Sequence, residues 1–308
     1  MAEKKRARAG LIDFACYVDP QQEYWYRAKH LIILADILER VARGELRRVI
    51  VTLPPRHWKS SLVAKWEAKL LGDDPQDTII AASRALNLAK KFSEHVRGTI
   101  EGVRYQSLYP DTKIQRGSDR ADDWLLEGGY QSSFRAVGTG GGISGEGARK
   151  LILDDVSDPN KQSSDTETAN DWEWYKNVLR TRLEPDGAIL VINNRVGTSD
   201  IVGYLLDPER NDSADPPHTW TVINIPAQAD DGQYLWLDRF GQDYYEQLKN
   251  DPTLWRIQYQ QKPTQAEGTL IKREWFEKRL ADGTKVLDVA PHLPPGARWK
   301  VRPIDAAF

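Results

Sequence analysis

The stretch of sequence that decides the fold runs from Arg48 to Ser61 and reads RVIVTLPPRHWKSS. Its first six residues form a short, β-branched run that is typical of a buried strand, and Pro54 with Pro55 ends that strand. An apolar stripe with helical spacing follows at Leu62, Trp66 and Leu70. The segment therefore predicts a strand, a loop and a helix, with Lys59 and Ser60 where the helix begins.

Apolar runs of strand length recur along the chain and alternate with amphipathic patterns. Further strands are predicted at 78–82, 150–155, 188–192 and 219–225, and further helices at 23–41, 86–100 and 172–183. Such alternation predicts an α/β fold with a mainly parallel sheet between layers of helices. Because ligands of these sheets bind at the carboxyl ends of the strands, residues that directly follow a strand are candidate site residues.

Composition excludes several classes of protein. The chain has 308 residues, of which 43 are basic and 45 acidic, and this balance argues against a protein that coats DNA. A single cysteine, Cys16, rules out a disulfide framework, and the five histidines lack the spacing of metal ligands. No apolar run approaches the roughly 20 residues of a membrane-spanning helix. We expect a soluble intracellular protein without a membrane partner.

The loop before the first long helix has the chemistry of a phosphate-binding loop. Backbone N–H groups at a helix N-terminus attract anions, and Lys59 would neutralise the β- and γ-phosphates of a nucleotide. The residues predicted to contact the nucleotide are Pro55, His57, Trp58, Lys59, Ser60 and Ser61. The strict pattern, G-x-x-x-x-G-K followed by Ser or Thr, fails because Leu53 and Trp58 occupy its glycine positions. Taken alone, the segment fits an ordinary strand–helix turn equally well.

Two adjacent acids, Asp154 and Asp155, end the apolar run at 150–155. We predict that Ser60 and Asp154 bind Mg²⁺ and that Asp155 positions the water that attacks the γ-phosphate. Arg56, within the loop, is predicted to sense phosphate in the same subunit. Asp-Asp also occurs as simple turn chemistry, so the combination with Lys59 and Ser60 carries more weight than either part.

Three further segments leave alternatives open. Asn193, Asn194 and Arg195 follow the strand at 188–192 and either report the phosphate state to a moving element or form an ordinary loop. The glycine-rich run at 138–147 is either a functional loop or a linker. The aromatic residues at 24–26 either stack on a nucleotide base or pack in the core.

Together these residues resemble the large subunit of tailed-phage terminases. The resemblance covers almost the whole chain and consists of several motifs in order, at 53–60, 80–97, 138–155, 171–183, 192–203 and 258–263. It implies an additional-strand, RecA-like P-loop ATPase fold with a small C-terminal helical linker subdomain. It also implies ATP and Mg²⁺ as cofactors, with Lys59, Arg56 and Asp155 as catalytic residues and Asn193, Asn194 and Arg195 as coupling residues.

The resemblance further implies partners and a location. The partners are double-stranded DNA, a portal protein, a small terminase subunit and further copies of this chain in a ring, expected to be a pentamer. The motor would work in the cytoplasm of an infected bacterial host, on the portal of the procapsid, and drive viral DNA into it.

The predicted domain organisation has four parts. Residues 1–45 form an N-terminal helical segment, 46–225 the ATPase core, 226–285 a lid or linker subdomain, and 286–308 a linker with the first strand of an RNase H-like nuclease. Asp305 resembles the first metal-binding acid of that nuclease. Because a two-metal nuclease needs several carboxylates, no nuclease activity is expected from this chain.

Two other functions compete with the motor. The first is a non-hydrolysing scaffold that docks on portal or DNA, in which Trp58 blocks the phosphates. The second is a superfamily-2 helicase, which needs a second RecA-like domain. Residues 226–308 are too few for such a domain, and we rank this function last.

Overall fold

One sheet of eight strands organises the part of the chain described by the computed structural model, which is residues 2–143, 145, 147–162 and 164–264. The strands are β1 Arg48–Thr52, β2 Ile79–Ser83, β3 Ile114–Asp119, β4 Asp123–Leu126, β5 Phe134–Gly138, β6 Ala148–Asp154, β7 Leu183–Asn193 and β8 Thr221–Asn224. Their order across the sheet is β3-β4-β5-β2-β6-β7-β1-β8. All pairs from β5 to β8 are parallel, and β3 and β4 add an antiparallel edge.

Helices cover both faces of this sheet. The α-helices are α1 Ala2–Ala9, α2 Leu11–Val18, α3 Glu23–Tyr26, α4 Lys29–Ala42, α5 Lys59–Asp73, α6 Leu86–Glu101, α7 Val103–Leu108, α8 Asp165–Trp174, α9 Ile201–Leu206, α10 Leu237–Leu248 and α11 Pro252–Leu254. Two π-helical turns lie at Tyr175–Leu179 and Trp255–Tyr259, and 3₁₀ turns at Pro20–Gln22, Pro159–Lys161, Arg180–Arg182 and Pro217–Thr219. No helix in the described part of the chain is long and apolar enough to cross a bilayer.

Neighbouring residues of the central strands point to opposite faces and so build two cores. Ile152 and Leu190 pack with α2, α4, α5 and α6, whereas Leu151 and Ile189 pack with α8 and α9. Strands that are buried on both faces have continuous apolar sequences, and for this reason they could be predicted from the sequence. The predicted fold class, a mainly parallel sheet between helical layers, is confirmed.

Strand β7 lies between β1 and β6. This is the additional-strand arrangement: one strand separates the strand before Lys59 from the strand that ends in Asp154. Thr52 pairs with Asn193, and Asp154 pairs with Ile192, so the three strands end at nearly the same level. The loops that follow them therefore meet at one edge of the sheet.

Several elements differ from the predictions. The helix predicted at 23–41 is interrupted, because Ala28 takes an extended conformation between α3 and α4. The helix predicted at 172–183 ends earlier, since Leu183 already begins β7. The helices α1 and α2 lie in the segment 1–45 that was predicted to be helical, although the pattern of residues did not place them individually; the strands β3, β4 and β5 were not predicted.

Two of the predicted domain boundaries lie within the described residues, and the third lies outside them. Residues up to Thr264 form one compact unit. The boundaries proposed within it, at 45/46 and at 225/226, stay predictions. The boundary at 285/286 and Asp305 lie outside the described residues.

A buried ion network fixes the amino end of β1. Asp215 is 5% exposed, and its Oδ1 accepts a hydrogen bond from Arg48 Nε at 2.6 Å. Arg180 donates to both oxygens of the same carboxylate. Although burial alone would raise the pKa of Asp215, the hydrogen bonds from Arg180 and Arg48 bring it below its usual range. One carboxylate thus holds two arginines from distant segments.

We expect Asp215→Ala to lower the free energy of unfolding by about 3–5 kcal/mol, because it leaves two arginines beside a buried site without their counter-charge. Denaturant unfolding measures the change. The matched control is Asp186→Ala, which removes an exposed ion pair with Arg47 (3.6 Å) and is expected to cost under about 1 kcal/mol. Equal effects of the two substitutions would contradict the assignment.

Candidate functional site

An ion pair between Lys59 and Asp155 lies at the edge where β1, β6 and β7 end. Lys59 is the first residue of α5 and only 5% exposed, and its Nζ is 2.6 Å from Asp155 Oδ2. The other oxygen of Asp155 accepts the backbone N–H of Asn194 at 2.7 Å. Asp155 itself has a left-handed backbone (φ 47°). Three strand ends therefore fix the position of one ammonium group and one carboxylate.

Asp154 lies beside this pair and is 6% exposed. Burial raises its pKa to about 7 and the charge of Asp155 adds to the effect, whereas Lys59 and the hydroxyl of Ser60 lower it. Oδ1 of Asp154 is buried without a hydrogen-bond partner. A buried carboxylate oxygen with a free lone pair, next to a serine hydroxyl, is the oxygen chemistry that Mg²⁺ prefers.

This donor set fits Mg²⁺ only in combination with oxygens from outside the chain. In the described part of the chain, no three His, Cys, Asp or Glu side chains are arranged to hold a metal ion. Mg²⁺ commonly binds through one or two protein oxygens together with phosphate and water. Ser60 and Asp154 would therefore hold such an ion together with a phosphate.

Two polar residues behind Asp154 were missed by the sequence reasoning. Glu67 of α5 is 3% exposed, and burial together with the charge of Asp154 raises its pKa well above the usual range. The hydroxyl of Ser83, at the end of β2, is buried and has no partner. Glu67 lies four residues after the buried Val63, so helical spacing was the available signal.

The loop before α5 takes left-handed conformations without glycine. Arg56 has φ 64° and Trp58 has φ 61°. Such a conformation costs about 1–2 kcal/mol for a residue with a Cβ atom, and Trp58 occupies the position where the phosphate-loop pattern has glycine. The indole of Trp58 packs beside Tyr26 (5.5 Å between ring centroids), Trp25 (6.3 Å) and Trp236 (6.5 Å). Its ring thus faces α3 and the start of α10.

The side chain of His57 forms hydrogen bonds that hold the loop in place. It is fully buried, and this burial lowers its pKa to about 3, so the ring is neutral. Because the carbonyl of Pro55 can only accept, Nδ1–H donates to it at 2.8 Å, and Nε2 accepts from the hydroxyl of Tyr245 at 2.9 Å. The imidazole therefore joins the loop to α10, and any contact of His57 with phosphate would come from its backbone.

The predicted coupling residues connect the site to the C-terminal part of the unit. The side chain of Asn194 is bonded to that of Gln261 at 3.0 Å, and Gln261 also accepts the backbone N–H of Arg195 at 2.8 Å. Arg195 pairs with the buried Asp200 at 2.8 Å. Asn193 is buried and donates to the carbonyl of Asn194. Gln261 was not singled out by the sequence reasoning.

The structure also gives positions for the other segments whose role the sequence left open, the aromatic residues at 24–26 and the glycine-rich run. Tyr26 is buried in the core and Tyr24 is exposed, while Trp25 packs on Trp58. In the glycine-rich run, Gly138 ends β5 and Thr139 bonds to the backbone of Ser83 and of Val156. Ser61 is exposed on the outer face of α5. Among the predicted site residues, Lys59, Ser60, Asp154 and Asp155 come together directly.

We expect Asp154→Asn to stabilise the protein at pH 8, to stabilise it less at pH 5 and to leave its stability nearly unchanged below about pH 4. The folded-state pKa of about 7 lies above the ordinary value of 3.8, so stability is lost as pH rises from about 4 to about 7 and changes little above that. Removing the carboxylate avoids that loss, which amounts to a few kcal/mol at most. Thermal unfolding of both proteins across this pH range measures the difference. A gain that does not depend on pH would contradict the raised pKa.

No protein-family model and no curated protein matches the chain. Among solved structures, the large-terminase ATPase domain of Thermus phage P74-26 is 16% identical with a TM-score of 0.49, covering 76% of this chain and 97% of that one. The HK97 bacteriophage large terminase is 14% identical with a TM-score of 0.41; 69% of this chain spans 40% of it. Dbp5 of S. cerevisiae, in a structure with ADP, is 11% identical with a TM-score of 0.39, at 70% and 52% coverage.

Proposed function

We propose that the chain hydrolyses ATP and that it does so as the motor that moves double-stranded viral DNA into a procapsid. One observation supports the hydrolysis above all. An ammonium group, a serine hydroxyl and two carboxylates meet at the N-terminus of α5, where Lys59 lies 2.6 Å from Asp155. These are the groups needed to hold a triphosphate with its metal ion and to position a water molecule.

Each side chain has a separate task in this proposal. The N–H groups of the first turn of α5 and Lys59 bind the phosphates. Ser60 and Asp154 would hold Mg²⁺, which would supply positive charge to the transferring group when bound. When a phosphate replaces Asp155 as the ion-pair partner of Lys59, the carboxylate of Asp155 is free to orient the attacking water. Arg56, exposed on the loop, stabilises charge on the γ-phosphate.

The packaging part of the proposal rests on the order of the motifs, which resembles that of terminases along nearly the whole chain. The proposal includes double-stranded DNA, a portal protein and a small terminase subunit as partners. It also includes a ring of this chain, taken to be a pentamer, on the procapsid in the host cytoplasm. Asn194 and Gln261 support coupling, because one hydrogen-bonded path joins Asp155 to the segment around 258–261.

The alternative, a scaffold that binds no nucleotide, is favoured by one observation: a tryptophan occupies the glycine position before Lys59. The orientation of its ring argues the other way, since the indole packs on Tyr26 and Trp25. Calorimetry with MgATP separates the two functions, because a scaffold gives no magnesium-dependent heat.

We expect Lys59→Ala to lower ATP turnover at least a hundredfold, because it removes the charge that balances the β- and γ-phosphates. A phosphate-release assay measures this. Lys113→Ala, at an exposed lysine near the sheet edge, is the matched control and is expected to leave turnover unchanged. If the parent protein shows no turnover, or if both variants match it, hydrolysis at this site is excluded.

For the packaging role, we expect double-stranded DNA to raise ATP turnover severalfold and Gln261→Ala to reduce that stimulation while basal turnover is kept. The substitution cuts the bond to Asn194 without touching Lys59 or either acid. Gln247→Ala, on the exposed face of α10, serves as the control. If DNA does not change the turnover of the parent protein, the chain is an ATPase and the motor function is contradicted.

A further inference from the structure

A groove of about 520 Å³ runs along the outer side of α5, on the side of the helix away from the acidic pair. Its walls come from α2, α5, α6 and α7 and from the phosphate loop. Trp58 and Ser61 line it where α5 begins, and Lys65 and His95 line it further along. Its volume lies within the range of small-molecule sites, roughly 300–1,000 Å³.

The position of the groove fits the part of a nucleotide that is not phosphate. In the proposed function the phosphates lie at the first turn of α5, with the metal ion on the side of Ser60 and Asp154. The ribose and base must then leave the helix terminus in another direction. The outer face of α5, formed by Ser61, Ala64 and Lys65, leads from that terminus into the groove.

Trp58 lies where the loop meets the groove, and its indole packs against neighbouring side chains there. The guanidinium of Arg239, from α10, lies 5.5 Å from the Trp58 ring and also contacts Trp25 and Trp236. A flat aromatic surface that is fixed in place and only partly buried suits stacking on a planar ligand.

The far part of the groove offers polar groups for the edge of a base. Lys65 donates to Thr99 at 3.0 Å and lies 3.9 Å from Asp19. Glu94 and His95 line the same wall. Apolar contact on one side and convergent donors and acceptors at the end are the usual features of a base-binding site.

We propose that the indole of Trp58 stacks on the base of the bound nucleoside triphosphate, so that the residue that breaks the phosphate-loop pattern is a nucleotide-binding residue. This inference rests on the proposed function, since it takes the phosphates to lie at α5. It makes the groove beside α5 the base subsite and assigns Trp58 a part in binding the nucleoside and none in binding the phosphates.

The test compares two ligands that share phosphates and differ in the base. Binding of MgATP and of magnesium tripolyphosphate to the full chain is measured by calorimetry for the parent protein, Trp58→Leu, Trp58→Phe and Lys59→Ala. We expect Trp58→Leu to weaken MgATP binding about tenfold to a hundredfold and to leave tripolyphosphate binding unchanged. Trp58→Phe, which keeps a ring, should retain most of the affinity, and Lys59→Ala should weaken both ligands.

Trp255→Leu is the matched control, because it removes an indole that lies in the C-terminal ring cluster and outside the groove. It should bind both ligands like the parent protein. Circular dichroism melting verifies that each variant is folded. If Trp58→Leu does not fold, Trp58→Phe and the parent's preference for MgATP over tripolyphosphate decide the question: a parent that binds both equally well overturns the stacking proposal.

Three other outcomes overturn it as well. Equal weakening of both ligands by Trp58→Leu would mean that the ring only supports the loop. Tighter binding of both would mean that the ring is an obstacle to phosphate. If the parent protein binds tripolyphosphate and not MgATP, the base subsite is wrong while the phosphate site stands; if it binds neither, the proposed function itself fails.

Discussion

The ion pair between Lys59 and Asp155 is the interaction on which the rest of the site depends. An ammonium group that is 5% exposed is tolerated only if an opposite charge lies next to it, and Asp155 Oδ2 does so at 2.6 Å. The sheet makes the pair possible, because β7 joins β1 to β6 and their carboxyl ends share one edge. Without a ligand, Asp155 neutralises the ammonium charge of Lys59, which a phosphate would neutralise when bound.

Backbone strain collects around this pair. Arg56, Trp58 and Asp155 are left-handed without being glycine, and such conformations persist only where the surroundings fix them. Here the surroundings are visible: His57 is bonded to Tyr245, the partly buried Trp58 ring packs beside Tyr26, and Asp155 accepts from Asn194. At Trp58, the glycine of the usual pattern is replaced by a side chain whose packing offsets the strain.

The sequence predicted the parts of the structure that follow from local rules. Buried parallel strands appear as apolar runs, and the residues after them share an edge, so Lys59, Ser60, Asp154 and Asp155 could be assembled in advance. The strands β3, which is rich in polar residues, and β4, which has only four residues, lie at an edge of the sheet and give no such run. Glu67 looks like an exposed helix residue by its type; its spacing from the buried Val63 signals burial, but its proximity to the charge of Asp154 depends on the fold.

The C-terminal residues of the compact unit reach the site by two separate routes. One runs from Asp155 through Asn194 to Gln261, and the other from the phosphate loop through His57 to Tyr245. Both end in the segment from α10 to Gln261, which includes the turn at Trp255–Tyr259. Hydrogen bonds of this kind keep their geometry only while both partners stay in place, so a shift of the loop or of Asp155 must be accommodated in that segment. Packing around Trp58 adds Arg239, near the start of α10, to the same connection.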